Sequence, residues 1–523
     1  MSFHRPHACC FLLGSLVLCI SSLGCGVGAD SYPTASGSVA TTKHPLVAQY
    51  NLAVPQKDAT AWVEFGTDTT YGRQTSASPA TTGFGQPVSI LVGGMRPSTT
   101  YHMRAHIDGP SGAETWVDQD QTFKTGPLPS SVPAPGLIVS HPNPALTPAA
   151  GVEMVDLVIA PNPTNFMQAI VTDLNGKIIW YYDVGKGNVP YPFKPLANGN
   201  FAVNIAENPL LPSATSVLRE IDLAGNIVSE IPLALVNQGL QAKGYSFSVG
   251  GFHHDFLSLP NGHWILLAYV YQKFTDLPGY PGVTDVQGDA VLDVDTNGNL
   301  VWAWSTFDHL EVNRHPMGLP DWTHGNALVY TPNDGNLLLS MRNQSWIIKI
   351  DYQNGTGSGD ILWHLGYQGD FSIPGDDPAD WFYAQHFPSV INIDGPQITL
   401  GVWDNGNSRV LNDSGEECGS PNPYCYSRST VFQIDEGTKT ADLAFAYLPG
   451  FFSVWGGSNV QLQNNDIEFD LCAPVGLVGS YSQVMEVTQD AAPQVAWQLN
   501  IQGGPAYRSY RIPSLYPGVT WSH

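Results

Sequence analysis

The segment Val171-Thr172-Asp173-Leu174-Asn175-Gly176-Lys177-Ile178-Ile179-Trp180 reads as two apolar strands joined through an aspartate and an Asn-Gly turn. Asn and Gly tolerate the positive φ of a tight hairpin at little steric cost. The phrase then recurs. It returns as Ile221-Asp222-Leu223-Ala224-Gly225-Asn226-Ile227-Val228 and as Asp293-Val294-Asp295-Thr296-Asn297-Gly298-Asn299-Leu300-Val301-Trp302. Later copies run from Ile350-Asp351 to Trp363, from Ile434-Asp435 to Phe445 and from Met485 to Trp497. A second hairpin signal lies between copies, at Ala197-Asn198-Gly199, Pro260-Asn261-Gly262, Asn333-Asp334-Gly335 and Asp394-Gly395. Two hairpins per repeat make a four-stranded unit that cannot bury both faces alone, which is a propeller blade. Six copies of the first phrase predict a six-bladed β-propeller over residues 137–523.

Upstream of the repeats, residues 31–127 form a different unit. Ala61-Trp62-Val63-Glu64-Phe65, Tyr101 to Ile107 and Gln121 to Thr125 alternate as half-buried strands do. The stretch Leu91 to Ile107 resembles the approach to strand F of a fibronectin type III sandwich. Residues 128–136, rich in Pro and Ser, read as a linker. The chain is therefore expected to be all-β, a small β-sandwich followed by a six-bladed propeller. The 53 Gly and 41 Pro suit short strands and turns, and no apolar run of helical period calls for a helix after the leader.

With 21 basic and 45 acidic residues the net charge is −24, which repels nucleic acid and anionic headgroups. Residues 1–29 read as an export signal, with Arg5 ahead of an apolar stretch from Cys9 to Leu23 too short to span a bilayer. Two processing sites compete: cleavage after Val27-Gly28-Ala29, or a lipobox at Leu23-Gly24-Cys25 whose lipidated Cys25 would tether the chain to a membrane. The lipobox is preferred, although Ser22 stands where a large aliphatic residue is usual. Cys418 and Cys425 flank a short polar loop and should pair in an oxidising compartment. Cys472, between Leu471 and Ala473, is left as a buried thiol.

The repeats align the chain against itself. In three of them the strand entering the second hairpin carries histidine near its start: His254, His324 and His386. Equivalent positions of inner strands converge at one end of a propeller channel, so three imidazoles should meet there. A single strand histidine is usually a satisfied packing residue; three at one repeat position are not explained by packing. In the doublet His253-His254 only one ring can face the channel, and His254, which precedes Asp255, is the choice. Arg342 lies past the second strand of the His324 hairpin and reaches the cluster only if its loop folds inward. Three histidines also suit a zinc- or copper-dependent hydrolase. A fixed cation beside a dication is unfavourable, whereas beside an anionic substrate it is favourable, so Arg342 argues for an anion-processing site without metal. A binding propeller without catalysis is the third reading. Asp293, Asp295, Asn297 and Gly298 imitate the start of a calcium loop, but Trp304 takes the place of its bidentate Glu, and a plain turn is the better reading.

His253-His254-Asp255, Asp321-Trp322-Thr323-His324-Gly325-Asn326, Ser340-Met341-Arg342-Asn343-Gln344-Ser345 and Gln385-His386, in that order, resemble the motif set of the bacterial arylsulfate sulfotransferases. The resemblance runs from about Val139 to the C-terminus. It implies an exported, periplasmic or envelope-associated six-bladed propeller behind a β-sandwich. It also implies transfer of a sulfuryl group from an aryl sulfate to a phenol, without 3′-phosphoadenosine-5′-phosphosulfate or any other cofactor. By motif, His386 would be the nucleophile that forms a sulfohistidine. His324 and His254 would move protons and hold sulfuryl oxygens, with Asn326 and Arg342 binding the sulfate. The pair Cys418 and Cys425 fits the short disulfide of periplasmic relatives, and the sandwich is where, by analogy, a homodimer would form. Trp381, Phe382, Tyr383, Trp403 and Trp455 are candidates for an aryl pocket or, equally, for the packing between blades, where Trp and Tyr are as common.

Overall fold

The computed structural model describes residues 36–522 except 55–57, 80–86, 160–165, 208–212 and 420–423. The expected export segment, including Cys25, lies outside the described residues.

The chain is all-β. Each of the six hairpins that the first phrase predicts lies in its own antiparallel blade sheet, four-stranded in five blades and five-stranded in the sixth, and in blades two to five the second phrase supplies the inner pair. Blades two to five are consecutive in sequence. They begin with the inner strands Val189–Pro195, Val249–Ser258, Gly325–Thr331 and His386–Asp394. Blades one and six are built differently. Ala506–Ile512, near the C-terminus, pairs antiparallel with Val152–Leu157 and becomes the inner strand of blade one. Gly136–Ser140 pairs with Val495–Gln502 and adds an outer strand to blade six, whose inner strand is Asn459–Gln461. The ring is thus closed by strands from both ends of the propeller. Each inner strand contacts that of the next blade, except that blade six reaches blade one through its second strand, Ile467–Cys472.

Packing between blades is apolar and largely aromatic. Trp403 stacks on Phe469 across blades five and six at 5.5 Å, and Trp180 stacks on Phe201 across blades one and two at 4.5 Å. The calcium-like loop is a turn: Asp295 Oδ1 accepts the backbone N–H groups of Asn297 and Asn299, each at 2.8 Å. One expectation fails. Leu233–Lys243 is an α-helix between blades two and three, ended by Gly244 at φ 81°. It buries only Leu233, Val236 and Leu240. So sparse an apolar stripe is a weak signal, and docking against blade three stabilises what propensity alone would not.

The N-terminal sandwich pairs Gly37–Thr41, Ala48–Ala53 and Pro87–Val92 in one sheet against a second built on Thr60–Gly66 and Thr100–Asp108. The Tyr101 hydroxyl accepts the backbone N–H of Arg96 at 2.9 Å, the tyrosine corner of a fibronectin-like sandwich. Its core is continuous with that of blades one and two, through Trp180, Leu223 and the C-terminal Leu515, Tyr516 and Trp521. Tyr516 is the polar link of this seam: its buried hydroxyl accepts Gly93 N–H at 2.7 Å and donates to Leu91 O at 2.8 Å. Tyr516→Phe should leave that N–H without a partner and lower stability by about 1–2 kcal/mol, read as a shifted denaturant midpoint.

Candidate active site

Three inner strands deliver the histidines to one cavity of about 790 Å³, His324 and His386 from their starts and His254 from mid-strand. His254 sits in the inner strand of blade three, His324 immediately before that of blade four, and His386 opens that of blade five. Strand pairing loses register beside the first two, between Phe252 and Phe256 and between Gly325 and Ala327. His254 and His324 accordingly take φ of 51° and 50°, a conformation uncommon for residues other than glycine and held only where the surroundings over-determine it. Their rings meet edge to face, centroids 4.6 Å apart.

His253 is turned away from the cavity. Its ring stacks on Tyr269 at 3.8 Å, its Nε2 lies 3.2 Å from Asp289 Oδ1, and its Nδ1 is 2.8 Å from His254 Nδ1. His324 Nδ1 lies 2.5 Å from Asp321 Oδ2, which leaves Nε2 as its free ring nitrogen. Arg342 begins a short 3₁₀ turn, Arg342–Gln344, which folds the guanidinium inward to line the cavity. Two of its nitrogens donate to Asn343 Oδ1 at 2.7 Å and Val454 O at 3.1 Å, while the buried Nε meets no acceptor among the described residues. Asn326 is placed elsewhere. It does not line the cavity, and its amide donates to Gln385 O at 2.7 Å, bracing the strand that carries His386.

Of the aromatic candidates, Trp455 lines the cavity. Trp381, Phe382 and Tyr383 instead fill the core between blades four and five, and Trp403 that between five and six. The reason is general: flat side chains at repeat positions are what neighbouring blades pack with. Val158, Ile159, Tyr481 and Pro505 add apolar surface to the lining.

Several site residues escaped the sequence reading. Tyr507, on the closing strand, lies 5.8 Å from His254 and 6.2 Å from His386 between ring centroids. Next to it Arg508, fully buried, pairs with Asp255 at 3.1 Å, and Lys194 pairs with the same carboxylate. Tyr191 packs edge-on against His254 at 4.7 Å. Asn405 and Gly456 hold the two ring nitrogens of His386. One signal could have found Asn405: it follows the second strand of blade five as Arg342 follows that of blade four.

Burial, reinforced by the neighbouring imidazole of His324, holds His254 well below the ordinary histidine value of 6.5. His386 is also far below 6.5, through burial first and the Arg342 guanidinium second. Asp321 is an anion: burial would raise it, but His324 and then Arg342 outweigh that and bring it below the usual carboxylate value. Both depressed imidazoles are therefore neutral at pH 7. A step that needs unprotonated His386 should be independent of pH down to 6.5 and fade only in more acidic buffer. Arg342→Gln removes a cation that disfavours protonation, so its acid limb should shift toward 6.5, visible in the shape of the pH–rate profile whatever its height.

Residues 150–508 match the arylsulfotransferase (ASST) family. The chain belongs to that family. Membership supports a sulfotransferase, and the matched residues reach into all six blades, His254, His324, Arg342 and His386 included. No curated protein matches this arylsulfotransferase-family chain. Among solved structures it is similar to a protein of unknown function from Bacteroides caccae, at 10% identity over 66% of this chain and 89% of that one, TM-score 0.31. It is similar also to dihydro-heme d1 dehydrogenase NirN, at 11% identity over 72% and 79%, TM-score 0.31. An ACO/RPE65 chimera matches at 11% identity over 91% and 95%, TM-score 0.34. Among the described residues, no group of three or more His, Cys, Asp or Glu side chains has the arrangement of a metal site.

Proposed function

We propose that this protein transfers a sulfuryl group from an aryl sulfate ester to a phenol without a nucleotide cofactor, by way of a sulfohistidine on His386. The observation that carries the reading is one cavity holding a neutral imidazole, two further imidazoles and a guanidinium with an unpartnered Nε. A sulfate ester is an anion that wants donors around its oxygens and a nucleophile behind its sulfur. Arg342 supplies the first and His386 the second.

His386 attacks sulfur through a ring-nitrogen lone pair. The N–S bond forms as the S–O bond to the aryl ring breaks, and that electron pair leaves on the phenolate oxygen. Charge spread over the sulfuryl oxygens is stabilised by donors fixed beforehand, as in phosphoryl transfer. His324 gives the departing phenolate its proton from Nε2, with Asp321 placed to balance the charge it carries when protonated. His254, held neutral, suits a hydrogen bond to a sulfuryl oxygen better than a proton exchange. An acceptor phenol then returns its proton to His324 and attacks sulfur as the N–S bond breaks. The Cys418–Cys425 disulfide accords with an exported protein, residues 1–29 being its signal. No helix among the described residues is long and apolar enough to cross a membrane.

The test uses 4-nitrophenyl sulfate with chelator present and no nucleotide. Nitrophenolate release that depends on added phenol supports the proposal. Release indifferent to phenol, or seen only after zinc is added, overturns it in favour of a metal-dependent hydrolase. No release at all, with the aryl sulfate still bound, favours a binding propeller.

A further inference from the structure

His386 Nδ1 lies 2.7 Å from Asn405 Oδ1. An amide can present either its oxygen or its nitrogen, and an imidazole either a lone pair or an N–H, so that contact alone decides nothing. The rest of the Asn405 amide decides it. Its nitrogen donates to two backbone carbonyls, Ser453 O at 2.8 Å and Gly456 O at 3.1 Å. Turning the amide over would set its oxygen against both carbonyl oxygens in a buried place, for Asn405 is wholly inaccessible. Oδ1 must therefore face His386, and Nδ1 must carry the hydrogen.

A second contact reaches the same answer independently. The backbone N–H of Gly456 points at His386 Nε2, 3.2 Å away. A donor there requires a lone pair on Nε2. Gly456 holds that place because nothing larger fits: at φ 63°, a Cβ would lie 2.8 Å from Cys472 Cβ and 2.9 Å from its sulfur. The segment Ser453 to Gly456, which leads into blade six, and the Cys472 end of a blade-six strand thus reach across to set the state of a ring in blade five.

We propose that Asn405 is a positioning residue that fixes His386 as the Nδ1–H tautomer and so presents the Nε2 lone pair to sulfur. The role rests on His386 being the nucleophile proposed above. It deepens that reading by naming what makes one nitrogen, and not the other, the attacking atom. When the Nε2–S bond forms, the lone pair passes from the Gly456 N–H to sulfur, the ring becomes cationic, and Nδ1–H still has its acceptor. Because that acceptor is a neutral amide and not a carboxylate, the cation is not over-stabilised and the N–S bond stays labile for the second transfer.

The experiment has two readouts. In full-length protein labelled with ¹⁵N-histidine, His386, assigned by its loss in His386→Ala, should show protonated Nδ1 and unprotonated Nε2 at neutral pH. In Asn405→Leu the two tautomers should mix, and the first-turnover release of nitrophenolate should slow by about 10²-fold or more, with the KM for donor little changed. Asn405→Asp keeps an oxygen toward Nδ1 and, with its other oxygen protonated between the Ser453 and Gly456 carbonyls, keeps one donor there. It should keep the wild-type tautomer and bring the first turnover back to within about tenfold of wild type, as Leu does not. A wild-type spectrum with protonated Nε2 overturns the proposal. So does a folded Asn405→Leu that releases nitrophenolate at the wild-type rate. If Asn405→Leu does not fold, the wild-type spectrum and Asn405→Asp decide. The tautomer is read without turnover, so a failed sulfohistidine mechanism, seen as an active His386→Ala, is a separate result.

Discussion

His386→Ala should lower aryl sulfate turnover by about 10⁴-fold or more while the donor still binds. The ring is buried, and its polar contacts are Asn405 and the Gly456 N–H, so its removal leaves the rest of the cavity in place. Arg342, His254 and His324 would still receive the sulfate, and for that reason KM should move little. What is lost is the atom behind sulfur. Neither remaining imidazole replaces it: His324 and His254 come from blades four and three, and in the proposed mechanism His324 Nε2 handles the proton of the phenol. Direct transfer between two phenols would have to place both oxygens on one sulfur inside a single cavity. The check is a steady-state assay together with a trapping experiment in which donor labelled in its sulfur is supplied without acceptor. Wild-type protein should retain one label per chain, stable to alkali, and the variant none. Turnover by the variant within tenfold of wild type would remove the sulfohistidine from the mechanism.

How much of this could be read beforehand depended on how local each signal was. The outer hairpin of a blade is announced by a few residues, in five copies an aspartate, a turn glycine and flanking apolar positions and in the sixth the apolar positions without the glycine, and all six are where the phrases put them. The three histidines were legible for the same reason, as one position of one repeat seen three times. Tyr507 and Arg508 were not. They lie on a strand whose partner, Val152–Leu157, is more than three hundred residues away, and a long-range pairing leaves no local mark. Asn405 and Gly456 act through an amide orientation and a backbone N–H, neither of which has a residue signature. The core aromatics misled in the opposite way: Trp381 and Trp403 sit near the motif in sequence, but their side chains point between blades. Proximity in sequence to a histidine-bearing strand does not select its channel face.

The closing strand also carries the residue whose loss should cost the fold most. Arg511 on that strand faces Glu153 directly across the blade-one ladder, and its guanidinium reaches Glu468 and Glu486 in blade six, at 2.9 and 2.6 Å. The three carboxylates are inaccessible to solvent and this one cation serves all of them. It also lies over the Trp497 ring at 4.6 Å and donates to Ala149 O at 3.0 Å. The cluster therefore joins the first blade to the last. Arg511→Met keeps much of the side chain's volume but leaves buried anions facing one another, and should destabilise the protein by about 3–5 kcal/mol. The pH dependence follows from the direction of the shifts. Burial, then the charge of Glu468, lifts Glu153 well above the ordinary 4.5, and burial lifts Glu468 despite the guanidinium. Folding then takes up protons at these sites, so their contribution is fully present below pH 4.5 and is lost as pH rises through the folded values. Without the cation the two carboxylates hold their protons still more tightly, so the deficit of Arg511→Met should be smaller near pH 5 than near pH 8. Adding Glu153→Gln and Glu468→Gln removes charges that the variant can no longer balance, and should return part of the loss. Denaturant melts of the three proteins at both pH values test this. Equal deficits at the two pH values, or no recovery in the triple variant, would mean that Arg511 holds the ring by packing on Trp497 and not by its charge.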